Sequence, residues 1–278
     1  MRIANLPTNF MGSPHLKGSR KMIGPVEKYL LKMIREAGTI HMTLLDPEKV
    51  NPESASNIAQ IAEVCGSSAI MIGGTTLVSP TRLDEVVRTV KESVSIPVIL
   101  FPNNITGISK YADAIWFMSL LNSADPYFIA GAQVLGAPLV KMYSLEAIPL
   151  AYIISGEGGS AGVIGRACPI PYNKPDLASA YALAAQYLGM RFIYLEAGSG
   201  VKKPIPPSMV RVVKGVIEIP LIVGGGIRTR EQVRKITSAG ADIIVTSTVL
   251  EESDKDKVKT KIMDIMQGIK EGVNKKVR

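Results

Sequence analysis

Four short stretches carry residue types that could do chemistry together: LLDPEK at 44–49, GGTT at 73–76, YLEAGSG at 194–200 and GGGIRT at 224–229. Glu196 interrupts an aromatic and aliphatic run and is followed by Gly198, Ser199 and Gly200. A carboxylate there can accept a hydrogen bond from a substrate hydroxyl or take its proton. The small residues let backbone N–H groups come close to a ligand. The same residues also suit a plain turn beside a capping or salt-bridged glutamate. Gly224, Gly225 and Gly226 precede Thr229, which opens an expected helix. A glycine-rich turn at a helix N-terminus presents unpaired N–H groups to a phosphate, or is simply tight. Asp46, followed by Pro47, and the hydroxyl of Thr75 are candidate Mg²⁺ ligands, since that ion takes one or two protein oxygens plus substrate phosphates. Asp46 could equally cap a helix or close an Asx turn.

These stretches share a place in the chain's rhythm. Eight apolar runs, at 39–45, 69–72, 97–101, 114–118, 149–154, 192–195, 220–223 and 242–246, each end in small or polar residues. They are continuously apolar, which fits strands buried on both faces of a parallel sheet. Amphipathic segments lie between most of them. The 53–65 segment places Ile58, Ile61, Ala62 and Cys65 at helical spacing, and 80–93 does so with Leu83, Val86, Val87 and Val90. A helix over 176–189 would take Asp176 as its N-cap, with Gly189 closing it. Thr229 and Gln232 form a capping-box pattern over 229–239, and a last helix spans about 255–271. Eight such units predict an α/β fold, a (β/α)8 barrel rather than an open doubly wound sheet. The segment 102–113, PNNITGISKYAD, is too short and broken for a good helix, so one covering helix is expected to be missing. In this fold the strand C-termini form the active site, and phosphate sites recur after the seventh and eighth strands. That rule gathers all four stretches, with TSTVLEE at 246–252, onto one rim.

The 278 residues suit one such domain, expected over 22–278, with 1–21 as a basic arm or tag remnant and Met22 as an alternative start. The segment lacks the apolar stretch of a signal peptide, and no apolar run is long enough to span a bilayer. A net charge of +8 suits an anionic partner without choosing among nucleic acid, membrane surface and phosphorylated substrate. Cys65 and Cys168 form no CxxC pair, which points to a reducing, cytoplasmic setting. With only His15 and His41, a histidine-based zinc site is improbable. Trp116, Phe117, Met118, Leu120 and Leu121, followed by Tyr127, Phe128, Met142 and Tyr143, make an apolar cluster that is either core, an oligomer contact or a groove for a long apolar ligand.

LLDPEK at 44–49, IMIGGTT at 70–76, YLEAGSG at 194–200, PLIVGGGIRT at 220–229 and ADIIVTST at 241–248 occur in order and spacing. As an ordered set they closely resemble the geranylgeranylglyceryl phosphate synthases, archaeal ether-lipid prenyltransferases, from about Met22 to about Gly268. The resemblance implies a modified TIM barrel whose third helix is replaced by irregular chain. It implies an enzyme joining sn-glycerol 1-phosphate to geranylgeranyl diphosphate with Mg²⁺. Asp46 and Thr75 would bind the metal. Tyr194, Leu195, Glu196, Ala197, Gly198, Ser199 and Gly200 would hold glycerol and phosphate, with Glu196 and Tyr194 catalytic. Gly225 and Gly226 would donate backbone N–H groups to the phosphate, and Ser247 and Thr248 would complete the cup. Ser247 stands where the family often has glycine, so its Cβ narrows the approach. A homo-oligomer is expected. Peripheral membrane contact fits a lipid substrate and product.

The alternatives are a relative that uses a longer prenyl chain and a sugar-phosphate isomerase-type barrel, which would need neither Mg²⁺ nor an apolar groove. Nucleic acid is set aside as a partner: aromatic residues are 5% of the chain, and no Lys/Arg run is interleaved with them.

Overall fold

The computed structural model describes residues 23–76, 79–247 and 255–276. The expected 1–21 arm and Thr248 therefore lie outside the described residues. Eight parallel strands close into a barrel in chain order: β1 (Ile40–Leu45), β2 (Ala69–Ile72), β3 (Val98–Leu100), β4 (Ala114–Leu120), β5 (Glu146–Gly158), β6 (Phe192–Ser199), β7 (Leu221–Gly224) and β8 (Ile243–Thr246). Closure is the β1–β8 pairing, with Ile40 opposite Ile243 and Met42 opposite Val245.

The continuous apolar runs have the expected cause. Alternate residues point inward, where Met42, Met71, Ile99, Trp116, Tyr152, Phe192 and Tyr194 fill the barrel. Their neighbours point outward under the helices, as Leu45, Ile70 and Ile72 do. Both sets leave water, so polar alternation would be costly on either face.

The helices are α1 (Pro25–Ala37), α2 (Pro52–Val64), α3 (Pro80–Ser93), α4 (Ala132–Met142), α5 (Gly159–Ile164), α6 (Pro175–Tyr187), α7 (Pro207–Lys214), α8 (Arg230–Ser238) and α9 (Lys255–Val273). Thr229 caps α8 in the expected capping box. α6 starts earlier than expected. Pro175, whose φ suits the first helical position, sets the start, so Lys174 is the cap position and Asp176 lies in the first turn. Between β3 and β4 a single 3₁₀ turn, Ile105–Gly107, stands where a barrel helix would lie, as the sequence predicts. α4 follows a π-turn over Tyr127–Gly131.

β5 and β6 run past their predicted ends. The strand expected to stop at Leu195 continues to Ser199, because β5 follows it upward: Glu196 pairs with Ile154, and after a register shift Gly198 pairs with Gly158. Gly198 has φ +117°, and a Cβ there would collide with the Gly158 backbone. Part of the bare backbone after Glu196 thus serves chain-to-chain approach, the use of glycine beside another backbone.

Candidate active site

One open pocket at the C-terminal ends of the strands holds Asp46, Thr75, Tyr194, Glu196, Gly198, Ser199, Gly200, Gly225, Gly226 and Ser247. Leu195 and Ala197 are placed elsewhere. Both are buried in the outer layer against α6 and α7 residues, because alternate residues of a strand face opposite ways. Whatever they contribute to a ligand must come from the backbone.

Glu196 is buried at the mouth, and its partners are neutral. Its Oε1 accepts from the Gly198 N–H at 2.7 Å, and the Tyr194 hydroxyl donates to its carboxylate. Burial pushes its pKa up to about 7; the two hydrogen bonds hold it down only in part. The Tyr194 hydroxyl is pushed well above its ordinary range, chiefly by burial and next by the neighbouring Glu196 charge. It therefore stays a donor. Gly225, with φ +79°, leaves the room this acid needs: a Cβ would strike Glu196 Oε1 and crowd the Ala197 and Gly198 nitrogens.

Sequence reasoning missed the aromatic frame of the site. Phe101, just beyond β3, stacks on Tyr194 at 5.5 Å and meets Tyr152 edge-on at 5.4 Å; Tyr152 meets Tyr194 at 5.3 Å. Phe101 and Tyr152 lie in two of the apolar runs, Phe101 just past the end of β3 and Tyr152 midway along β5, and their place in those runs was the available signal. Lys49, Asn103 and Arg228 also line the pocket. They sit in the loops after β1, β3 and β7, whose paths the strand pattern does not give.

On the opposite side of the mouth, the loop after β1 is held firmly. Arg82 of α3 donates its Nε–H to the Pro47 carbonyl at 2.6 Å. Asp46 is largely buried and accepts from the Glu48 N–H at 3.1 Å. A Cβ at Gly74 would collide with its carboxylate, so the β2 loop leaves a space shaped to this acid. Thr75 lines the same pocket. Carboxylate and hydroxyl oxygens are the hard donors Mg²⁺ takes, and one or two protein ligands are enough for it. Among the described residues no cluster of three or more His, Cys, Asp or Glu could hold a metal alone. His41 is buried between Ser67 and Thr246 at 2.7 and 2.9 Å, and burial pushes its pKa down to about 3, so it is a neutral structural residue.

From this polar mouth the pocket continues along β4 and α4, lined by Trp116, Phe117, Met118, Leu120, Phe128, Gly136 and Val140. It passes the 3₁₀ turn, with Ile105 and Ile108 in its wall. The missing helix is what leaves this side open. Trp116 serves as core and lining at once: it is fully buried, with its ring edge-on to Phe192 at 5.1 Å. One continuous pocket thus has a polar end, at Asp46, Thr75 and Glu196, and an apolar end, along β4 and α4, which matches a polar ligand meeting an apolar one at the mouth.

The PcrB family pattern matches residues 31–266. A geranylgeranylglyceryl phosphate synthase of Pyrococcus abyssi is 57% identical over 249 residues, spanning 89% of this chain and 99% of the relative. The enzyme of the same name from Methanothermobacter thermautotrophicus is 50% identical, over 88% and 98% of the two chains. Among solved structures, (S)-3-O-geranylgeranylglyceryl phosphate synthase of Thermoplasma acidophilum, in complex with its substrate sn-glycerol-1-phosphate, superposes with a TM-score of 0.85 at 41% identity. That match covers 90% of this chain and all of the other. A thiamine phosphate pyrophosphorylase of Pyrococcus furiosus, at 12% identity and a TM-score of 0.54, shares the fold alone. With that match over most of its length, and with geranylgeranylglyceryl phosphate synthases as its relatives, the chain belongs to the PcrB family.

Proposed function

We propose that this protein transfers a geranylgeranyl group from its diphosphate to the 3-hydroxyl of sn-glycerol 1-phosphate. The observation that carries the reading is the position of Glu196: a buried acid with a pKa near 7, at the junction of glycine-lined loops and a long apolar groove. A phosphate cup alone would suit an isomerase of sugar phosphates. The groove gives that reading nothing to explain it.

The glycerol phosphate would sit with its phosphate against Gly225, Gly226, Ser199 and Ser247, which line the pocket together. Thr248 belongs to the same proposed cup. Glu196 would accept the hydrogen bond of the attacking hydroxyl, with Tyr194 holding the carboxylate in place. Positive charge develops at C1 of the prenyl group as its bond to the diphosphate breaks. The glycerol oxygen forms the new bond to C1, and Glu196 takes the proton as it forms. A free hydroxyl ionises far above neutral pH, so the base acts during bond formation rather than before it. Positioning and charge stabilisation supply most of the rate. About twenty carbons of tail in the groove, at ~0.8 kcal/mol per buried CH₂, anchor the chain even if half of it is covered.

Asp46 and Thr75 would hold Mg²⁺. When bound, the ion would neutralise charge on the diphosphate leaving group. Exposed apolar side chains on α4 and around the end of α6, among them Leu135, Met142, Tyr187 and Leu188, support a homo-oligomer; a cytoplasmic setting is proposed from Cys65 and Cys168, which form no disulfide. No described helix is long and apolar enough to cross a membrane; contact with one would be peripheral, where the lipid substrate arrives.

The test is a mass-spectrometric assay of glycerol 1-phosphate with prenyl diphosphates of graded length, on the parent protein and on Asp46→Asn. The expected product is geranylgeranylglyceryl phosphate, with turnover nearly abolished in the folded variant. A chain that turns over only longer prenyl diphosphates, or none at all, overturns the substrate assignment. Parental rates and Mg²⁺ dependence in Asp46→Asn remove Asp46 from the site.

A further inference from the structure

Lys49 is a pocket residue to which the proposed reaction gives no role. Its Nζ lies 3.7 Å from Asp46 Oδ2, three residues back in the same turn. The two groups differ in exposure. The lysine side chain is 46% exposed, the aspartate side chain 13%. The backbone beneath them is fixed. Lys49 N–H donates to the Asp46 carbonyl at 3.0 Å and Val50 N–H to the same oxygen at 3.2 Å. Arg82 grips the Pro47, Glu48 and Val50 carbonyls from outside. The Glu48 carboxylate accepts from Thr76 of the β2 loop, whose carbonyl accepts in turn from Asn103 of the β3 loop. The lysine side chain rises from this rigid base at the edge of a pocket it shares with Thr75 and Asn103.

We infer that Lys49 is a second holder of the diphosphate, exchanging the Asp46 carboxylate for the diphosphate when a divalent cation arrives. This rests on the reading of Asp46 as a metal ligand. A cation on Asp46 and an ammonium at 3.7 Å repel, so the lysine must leave. Its anchor keeps it within the pocket, where the nearest proposed anion is the diphosphate. An ammonium is a flexible point charge with three donors and can follow such an exchange. The result is coupling: metal frees the lysine for diphosphate, and diphosphate, by drawing the lysine off, frees Asp46 for metal. Thermodynamic linkage requires the two effects to be equal.

Binding measurements test this without turnover. Mn²⁺ binding is followed by electron paramagnetic resonance, and inorganic diphosphate binding by calorimetry with and without Mn²⁺, on the parent, Lys49→Met, Lys49→Arg and Asp46→Asn. Loss of the lysine should tighten Mn²⁺ binding in the absence of diphosphate by about three- to five-fold, the scale of a partly exposed ion pair. The same change should weaken diphosphate by about ten-fold or more, as for a lost bond to a charged group. Mn²⁺ should then strengthen diphosphate binding less than in the parent. Lys49→Arg should restore diphosphate binding. If Asp46→Asn keeps full Mn²⁺ affinity, the metal reading itself is wrong. If Asp46→Asn loses Mn²⁺ while Lys49→Met binds both ligands as the parent does, the metal reading stands and the role of Lys49 falls.

Discussion

Two buried glutamates at opposite ends of the barrel, Glu27 and Glu196, are treated in opposite ways. At the N-terminal end of the strands each acid is satisfied in place. Glu27 is gripped by Arg191, whose Nε–H lies 2.7 and 2.8 Å from the two carboxylate oxygens. Asp242 pairs with Lys214 at 2.6 Å and accepts from the Leu221 N–H at 2.9 Å. Glu146 accepts from Val26 and Glu27 N–H groups at 2.7 and 2.9 Å, capping α1, whose own cap residue is a glycine. At the other end Glu196 has only the neutral donors of Gly198 and Tyr194, and its pKa rises to about 7. Buried charge that meets a cation fixes structure. Glu196 is buried, and its two neutral donors offset the desolvation only in part, so its proton equilibrium is held near neutral pH, which is what a base needs.

The largest effect expected from this contrast is on stability. Arg191→Met leaves Glu27 buried without its cation, at a cost of about 3 kcal/mol or more. At this chain length that lowers Tm by roughly 6–10 °C, while kcat of the folded fraction stays at the parent value. Calorimetry beside a turnover assay checks both. An unchanged Tm with a fallen kcat would invert the assignment of the two ends.

Glu196→Gln should do the reverse. It keeps the size of the side chain and loses the base, and kcat should fall on the order of 10²-fold or more. Stability should rise where the acid is ionised. The native pKa of about 7 lies above the ordinary 4.5, so the folded state binds the proton more tightly. The stability linked to that proton is whole below pH 4.5 and lost as pH rises through 7. Glutamine does not titrate, so the variant should exceed the parent by about 3 kcal/mol at pH 8 and match it near pH 4. The parent's kcat should climb as pH rises through about 7 and level above it. A variant that keeps kcat and melts lower at pH 8 would make Glu196 a structural carboxylate.

Much of this contrast was legible in sequence, because strand endings announce themselves. All eight strands were expected close to their observed places, and Asp46, Thr75, Glu196, Gly225 and Ser247 follow from reading their ends as one rim. What stayed hidden has physical causes. The inner face of α1 includes Glu27, buried against a residue 164 positions away, so its pattern reads as polar where it is most enclosed. α4 carries Pro138 inside, follows a π-turn, and is apolar toward both groove and solvent, with Val134, Leu135 and Met142 exposed. That erases the one-sided periodicity on which a helix assignment depends. The outward turn of Leu195 and Ala197 follows from strand alternation, but a motif read as a unit conceals it.

Gly225→Ala comes next in size. The residue sits at φ +79°, which costs an alanine about 1–2 kcal/mol, and the methyl would press on Glu196 Oε1. kcat/KM for glycerol phosphate should fall by about ten-fold or more, with prenyl diphosphate affinity near the parent value. Equal loss for both substrates would show that the loop supports the whole mouth rather than one ligand.

The smallest effect belongs to Thr75. Its hydroxyl is proposed to share the metal with Asp46, but the two oxygens differ in kind. Asp46 brings a full charge that water cannot supply, whereas a neutral hydroxyl can be replaced by one more water of the Mg²⁺ shell, which the ion keeps readily. Thr75→Ala should therefore leave the fold intact and lower metal affinity by less than about ten-fold, where Asp46→Asn nearly abolishes turnover. Raising Mg²⁺ should restore most of the Thr75→Ala rate and little of the Asp46→Asn rate. If added Mg²⁺ rescues neither, or if Thr75→Ala is the more damaging change, the hydroxyl is positioning the β2 loop through its backbone rather than meeting the ion.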